Sequence, residues 1–287
     1  MRVRRFSVIR IRSLEHLFDL AEKGMTNPYF LAGGTDLLIK IKDDLLIPPF
    51  TVLDISGLQE LRSIHFEQDY VRIGSLVTHG EIEKHPELRL LFPSLTDACH
   101  GVGSPQIRNR ATIGGNIGNA SPAADSIPPL YVYGAELHLV NSKGERWVKI
   151  EDFFTGPGKT IRNPVEIIKE IRIPAEKRDY GTYLRLGQRK ALAISKISLA
   201  LAGKKKNGSM EDVKIALGAV GPTVIMAVET SLYLRGKELS SEVIKEAGNI
   251  IEKEAEPITD LRSSKEYRKK MCSTLLVKAL TNWKQVA

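Results

Sequence analysis

The stretch of sequence that organises this chain is Ala111-Thr112-Ile113-Gly114-Gly115-Asn116-Ile117-Gly118-Asn119, which continues as Ala120-Ser121-Pro122-Ala123-Ala124-Asp125. Its centre is rich in glycine and asparagine, and Arg108 and Arg110 precede it. Because glycine has no Cβ and tolerates positive φ, such a backbone can approach an anion closely. Consecutive N–H groups in turns of this kind form a concave nest for phosphate oxygens. The stretch therefore predicts an anion-binding loop.

An earlier stretch has the same chemistry. Leu31-Ala32-Gly33-Gly34-Thr35-Asp36-Leu37-Leu38 lies between a strand-like and a helix-like segment. The two stretches also carry polar side chains suited to a nucleotide: the hydroxyls of Thr35, Thr112 and Ser121, the amides of Asn116 and Asn119, and the carboxylate of Asp125. These residues leave two interpretations open, a nucleotide cofactor held from two sides by its pyrophosphate, or two glycine turns without a binding role.

The composition excludes several classes of protein. A chain of 287 residues with 42% hydrophobic and 26% charged residues can form one large domain or two to three small ones. No apolar run approaches the roughly 20 residues that span a bilayer, and the N-terminus lacks a signal-peptide pattern, so we expect a cytoplasmic protein. The net charge of +8 is spread along the chain without basic blocks interleaved with aromatics. We therefore expect no nucleic-acid partner.

Side chains that usually carry catalysis or bind metals are sparse. Two cysteines, Cys99 and Cys272, are too few for an iron–sulfur cluster, which takes about four thiolates. The histidines form no pair at metal-binding spacing, and there is no Gly-x-Ser-x-Gly motif of a hydrolase. We expect no metal site and no catalytic residue in this chain.

The pattern of apolar residues divides the chain into three units, over residues 1–57, 58–176 and 177–287. The first alternates strand, helix and strand, with Ser13 as a helix N-cap, which favours a small parallel sheet. In the third, Asn207-Gly208 predicts a hairpin. The chain then closes with two helices.

Both glycine stretches resemble the two FAD-pyrophosphate motifs of one family, the FAD-binding medium subunits of molybdenum hydroxylases such as xanthine dehydrogenase and carbon monoxide dehydrogenase. Residues 32–38 and 112–125 carry the resemblance. The sequence Gly218-Ala-Val-Gly-Pro-Thr223 and the segment from Ser264 to Met271 resemble the family's C-terminal domain. The resemblance covers the whole chain.

This resemblance implies an α+β fold. It consists of a vanillyl-alcohol-oxidase-type (PCMH-type) FAD-binding domain of two α/β subdomains, followed by a C-terminal α+β domain with a three-stranded antiparallel sheet and helices. The first two units correspond to the FAD-binding subdomains, and the third to the C-terminal domain of the carbon monoxide dehydrogenase flavoprotein type.

Site residues follow from the resemblance position by position. Residues 32–36 would wrap the pyrophosphate, Thr112, Gly115 and Asn116 would hold the diphosphate and ribityl region, and Asp125 would bond the polyol or ribose. Val102, Ile168 and Arg185 occupy positions near the flavin ring. The complete predicted FAD site consists of Leu31, Ala32, Gly33, Gly34, Thr35, Asp36, Leu37, Val102, Ala111, Thr112, Gly114, Gly115, Asn116, Asn119, Ser121, Ala124, Asp125, Ile168 and Arg185.

The implied function is that of one subunit in a heterotrimeric oxidoreductase. A large molybdopterin subunit would oxidise the substrate, which is a purine, carbon monoxide, an aldehyde or an N-heterocycle. A small subunit with two 2Fe–2S clusters would pass electrons to FAD, and NAD⁺ or another acceptor would receive them. Two alternatives stay open: a free-standing flavin oxidoreductase of the same fold, and a phosphate- or nucleic-acid-binding module.

Overall fold

The computed structural model describes residues 6–189 and 192–286. The first unit is a three-stranded parallel sheet in the order β1-β3-β2, which confirms the prediction from the strand–helix–strand alternation. The Ser13 side chain caps the first helix by accepting a hydrogen bond from the N–H of His16, also as predicted. The elements are β1 (Phe6–Arg10), α1 (Leu14–Glu22), β2 (Pro28–Leu31), α2 (Leu37–Lys42) and β3 (Phe50–Asp54).

The second unit is built on a five-stranded antiparallel sheet in the order β4-β5-β10-β6-β7. The second unit also contains several helices and a separate two-stranded antiparallel sheet, formed by β8 and β9. Its first elements are β4 (Ile64–Phe66), β5 (Tyr70–Gly74), α3 (His79–Lys84), α4 (Pro86–Leu91), α5 (Pro93–Gly101), α6 (Pro105–Arg108), α7 (Ile113–Asn119) and α8 (Ile127–Val132). The remaining elements are β6 (Glu136–Asn141), β7 (Gly144–Lys149), α9 (Ile150–Phe153), β8 (Phe154–Gly156), β9 (Lys159–Thr160) and β10 (Ile167–Pro174).

One difference from the sequence prediction lies at the organising stretch itself. Ile113–Asn119 is a short helix, α7, and not a loop, in spite of its three glycines. Glycine costs a helix interior about 1 kcal/mol relative to alanine. Two features offset this cost here: the Thr112 side chain caps the helix, and the N–H of Gly114 bonds to the carbonyl of Ser75 in the second unit.

The third unit has an antiparallel sheet in the order β11-β12-β13-β14. Three long strands match the prediction, and the structure adds a fourth strand of two residues at the edge. At the predicted hairpin, Asn207 and Gly208 both have positive φ, 52° and 84°, as a two-residue β-turn of this type requires. The elements are β11 (Tyr180–Leu186), β12 (Ile197–Lys206), β13 (Ser209–Gly218), β14 (Ile225–Met226), α10 (Val228–Leu234), α11 (Ser241–Glu254) and α12 (Lys265–Val286).

Strand β12 shows how the third unit joins the second. Side chains alternate between the two faces of a strand, and Ile197, Leu199 and Leu201 pack with the helices of the third unit. Ala200 and Ala202 point to the opposite face and belong to the core of the second unit. Their small size lets α5 and α8 approach the sheet closely, so the two units share one core.

None of the helices in the described part of the chain has the length and apolar character that crossing a bilayer demands. Among the same residues, no cluster of histidine, cysteine, aspartate or glutamate side chains is arranged to hold a metal ion.

Candidate functional site

A cavity of about 970 Å³ brings both glycine stretches together, with walls from the first and second units. Its lining includes Phe30 and Arg162, whose guanidinium lies 5.3 Å from the Phe30 ring centroid. It also includes Val102, Asp125 and Ala193, the last from the third unit. All three units therefore contribute to one site.

The first glycine stretch forms a loop between β2 and α2 that carries free hydrogen-bond donors. Within the described part of the chain, the N–H groups of Gly33, Gly34, Thr35 and Asp36 have no acceptor. These residues line the cavity. Unpaired backbone N–H groups facing a cavity are suited to bind an anion, so this loop has the chemistry predicted for it.

The second stretch differs from its prediction, because its backbone donors are already used. Gly114 donates its N–H to the carbonyl of Ser75, and Gly115 donates its N–H to Thr112 Oγ1 at 3.1 Å. Asn116 donates its N–H to the carbonyl of Thr112. The predicted nest of N–H groups is therefore not open here.

Close packing explains the glycines of the second stretch instead. A Cβ on Gly114 would lie 2.4 Å from Ser75 Cβ, and a Cβ on Gly115 would lie 2.8 Å from Thr112 Oγ1. The two stretches also meet directly, because a Cβ on Gly33 would lie 1.9 Å from the carbonyl oxygen of Arg110. The glycines bring the two walls of the cavity into backbone contact.

Asp125 is almost completely buried and accepts three hydrogen bonds from the third unit. Its Oδ1 accepts from the Tyr183 hydroxyl and from Ser195 Oγ, each at 2.6 Å, and its Oδ2 accepts from Arg185 Nη1 at 2.9 Å. Burial raises the pKa of this carboxyl, and the bonds to Ser195, Tyr183 and Arg185 oppose that rise. Asp125 lines the cavity and at the same time ties the third unit to it.

Most of the residues predicted for the site line this cavity. They are Ala32, Gly33, Gly34, Thr35, Asp36, Leu37, Val102, Ala111, Thr112, Gly114, Gly115, Asn116, Asn119, Ser121, Ala124, Asp125 and Ile168. Leu31 and Arg185 do not line it. Leu31 is the last residue of β2, and Arg185 forms an ion pair with Asp125, which does line the cavity. Their roles toward a cofactor stay predictions.

The structure also adds lining residues that sequence reasoning missed. Lys40, His79, Arg162 and the segment from Leu192 to Ile194 line the cavity. They belong to four separate parts of the chain, so no local pattern connected them with the glycine stretches. Of these residues, only Lys40 lies close in sequence to one of the two glycine stretches.

His79 is a buried residue of this wall. Its Nδ1 lies 3.4 Å from Cys99 Sγ, and its Nε2 has no hydrogen-bond partner among the described residues. Burial, assisted by the positive charge of Arg108, lowers the pKa of His79 to about 4. The imidazole is therefore neutral at pH 7 and adds no charge to the cavity.

Glu166 lines the cavity beside Arg162, and the contribution of its carboxylate to stability can be tested by varying the pH. Burial raises the pKa of this carboxyl. Its hydrogen bonds with Arg146 and with the N–H of Asn163 together lower the pKa by more than burial raises it, so the net shift is downward. A carboxyl whose pKa is lowered by folding stabilises the fold at pH values above its ordinary pKa of about 4.3. This contribution is lost as the pH falls through the folded-state pKa.

Glu166→Gln is accordingly expected to lower the free energy of unfolding by about 1–2 kcal/mol at pH 7, because a charge-assisted hydrogen bond is lost. The difference from wild type should shrink as pH falls below about 4. Urea unfolding at a series of pH values measures both effects. A difference that stays constant down to pH 3 would contradict the assignment.

Comparison with known proteins decides the family. The model of the FAD binding domain in molybdopterin dehydrogenase matches residues 4–176, which is more than half of the chain. The chain belongs to the FAD-binding medium subunits of the molybdenum hydroxylases. The model of the CO dehydrogenase flavoprotein C-terminal domain matches residues 182–283.

Individual relatives agree with the family models. The glyceraldehyde dehydrogenase medium chain of Sulfolobus acidocaldarius is 33% identical over 98% of both chains. The nicotinate dehydrogenase FAD-subunit of Eubacterium barkeri is 34% identical over 84% of this chain and 83% of its own. A chain of the carbon monoxide dehydrogenase from Hydrogenophaga pseudoflava superposes with a TM-score of 0.91, at 28% identity over 98% of both chains. This medium subunit is thus part of an oxidoreductase, and its cofactor is FAD.

The residues of the cavity fit FAD. The free N–H groups of the first loop are donors for phosphate oxygens. At Gly33 a Cβ would collide with the carbonyl of Arg110, so the absence of a side chain there lets the first loop lie directly against the start of the second stretch. The volume of about 970 Å³ lies at the upper end of typical ligand pockets, as a dinucleotide requires.

Proposed function

We propose that this medium subunit holds FAD in an extended conformation between its first two units, with the ring system at the end lined by Val102 and Ala193. The adenine would lie at the opposite end, near Phe30 and Arg162. The observation that carries this proposal is the free N–H groups of residues 33–36 in the cavity wall, where the first glycine stretch meets the backbone of Arg110. They favour a diphosphate there, with one half of the cofactor on either side.

The subunit would work within a complex. We propose a large molybdopterin partner that oxidises the substrate and a small partner with two 2Fe–2S clusters. When bound, FAD supplies redox chemistry that connects these clusters with NAD⁺ or another acceptor. The described residues hold the cofactor and keep its surroundings in place, and the site needs no acid or base from this chain. The cytoplasmic location stays a prediction.

The end of the cavity near Ala193 supports this placement. Leu192 and Ile194, which flank it, are 52% and 64% exposed although they are apolar. Exposed apolar side chains beside a cofactor site are suited to be covered by a partner protein. Electron transfer requires the flavin ring to lie close to a partner subunit, so we place the ring at this end of the cavity.

Co-expression of the chain with candidate large and small subunits tests the proposal. We expect a complex with about one FAD per medium subunit and substrate-dependent reduction of a dye, whereas the chain alone should bind FAD without oxidising any substrate. FAD would be identified in the extract by chromatography. Substrate turnover by the chain alone would favour a free-standing flavin oxidoreductase, and nucleic-acid binding with steep salt dependence and no flavin would favour the phosphate-binding alternative.

A further inference from the structure

Lys40 connects the two walls of the cavity. Its Nζ donates a hydrogen bond of 2.7 Å to Asn119 Oδ1, and both side chains line the cavity. Lys40 follows Asp36 of the first loop by one helical turn, and Asn119 follows Gly115 by one turn. A helical turn of four residues advances by about 6 Å. The contact therefore lies about one helical turn from each of the two glycine stretches.

The charge of Lys40 is not compensated. Within the described part of the chain, its Nζ has no carboxylate partner, and the amide of Asn119 is neutral. An ammonium group has three N–H donors, of which Asn119 takes one. Two donors are left on a half-buried cation at the wall of the site.

Three other charged residues of the cavity wall are already engaged. Arg162 donates its Nη1 to the carbonyls of Asn163, Pro164 and Glu166. Among the lining acids, Glu166 bonds to Arg146 and Asp125 bonds to Arg185. The third, Asp36, makes no ion pair with Lys40 or with any other described residue. Of the described residues that line the cavity, Lys40 is the cation whose hydrogen bonds are least complete.

We propose that Lys40 binds the diphosphate of FAD through its ammonium group while it keeps its bond to Asn119. This inference rests on the proposed position of FAD in the cavity. The phosphates are the anionic part of the cofactor, and a charge-assisted hydrogen bond is about twice as strong as a neutral one. Lys40 supplies a positive charge that the neutral N–H groups of the first loop lack, and it draws α2 and α7 together over the cofactor.

Binding of two flavins, FAD and riboflavin, to the full chain after removal of bound FAD by salt dialysis tests the role of Lys40. A hydrogen bond to a charged group contributes about 1.5–3 kcal/mol, so Lys40→Gln should raise the Kd for FAD about 10-fold to 100-fold. The Kd for riboflavin, which has no phosphate, should be unchanged. The salt dependence of FAD binding should weaken, because one cation–phosphate contact is gone.

Two further variants serve as controls. Lys42→Gln removes a lysine of the same helix that does not line the cavity, and it should leave the Kd for FAD within about twofold of wild type. Lys40→Arg keeps the charge and should restore most of the affinity. Thermal unfolding of each variant shows whether the fold is intact.

The outcomes separate this inference from the proposed function. If wild type fails to bind FAD, both are overturned. If wild type binds FAD and Lys40→Gln binds it with the same Kd and salt dependence, the role of Lys40 alone is overturned. An equal loss of affinity for FAD and riboflavin would also overturn it, because the effect would then not depend on the phosphates.

Discussion

Gly33→Ala is expected to lose FAD, with a Kd raised by roughly 100-fold or more and a fold destabilised by about 1–3 kcal/mol. The added Cβ would lie 1.9 Å from the carbonyl oxygen of Arg110 and 2.7 Å from its carbonyl carbon. Both are backbone atoms and cannot rotate away, so the two walls of the cavity must separate. Separation moves the free N–H groups of the first loop away from their place in the cavity wall.

Flavin content after gel filtration and the Kd for FAD measure this effect, and urea unfolding measures the loss of stability. Gly57→Ala is the matched control. Gly57 lies just after β3 in the first unit, does not line the cavity, and its added Cβ would have Arg10 Nη2 as its nearest neighbour, at 3.7 Å. A Gly33→Ala protein with normal flavin content would contradict the close approach of the two walls.

Asp125→Ala is expected to have the largest effect on stability, a loss of about 3–5 kcal/mol, because it leaves a buried partner charge uncompensated. The side chain of Arg185 is only 16% exposed and would keep its guanidinium without a carboxylate. The hydroxyls of Tyr183 and Ser195 would each lose an acceptor as well. The third unit would then be held less firmly against the cavity, and FAD binding should weaken with it.

Urea unfolding gives the free energy, and Asp97→Ala is the control. Asp97 pairs with Arg89 at 3.4 Å on the surface, where an ion pair contributes about 0–1 kcal/mol. Tyr183→Phe removes one of the three bonds to Asp125 and should cost about 1 kcal/mol. If Asp125→Ala cost no more than Asp97→Ala, the buried cluster would not be holding the third unit.

Local patterns were sufficient for much of the fold. The Ser13 cap, the parallel sheet of the first unit and the Asn207-Gly208 hairpin depend on neighbouring residues, and each is present. The boundaries of the three units stay a prediction. Most of the site residues that the family resemblance supplied line the cavity, because the two motifs are continuous stretches.

Contacts between distant residues could not be predicted in the same way. Glycine-rich composition favoured a loop at residues 113–119, but Thr112 and the carbonyls of Ser75 and Val77 complete the hydrogen bonds of a helix there. The pairing of Lys40 with Asn119 joins residues 79 positions apart. Asp125 looked like a cofactor ligand in sequence, and only the fold brings it to Tyr183, Arg185 and Ser195.

Strand β12 has a consequence for how the protein can be divided. Its alanines lie in the core of the second unit, while its isoleucine and leucines lie in the core of the third. A cut of the chain between the second and third units would expose one face of this sheet to water and leave α5 and α8 without their cover. The matches of the two family models meet at this border. The chain is nevertheless expected to unfold in a single cooperative transition. A fragment that ends at the border should therefore not replace the whole subunit.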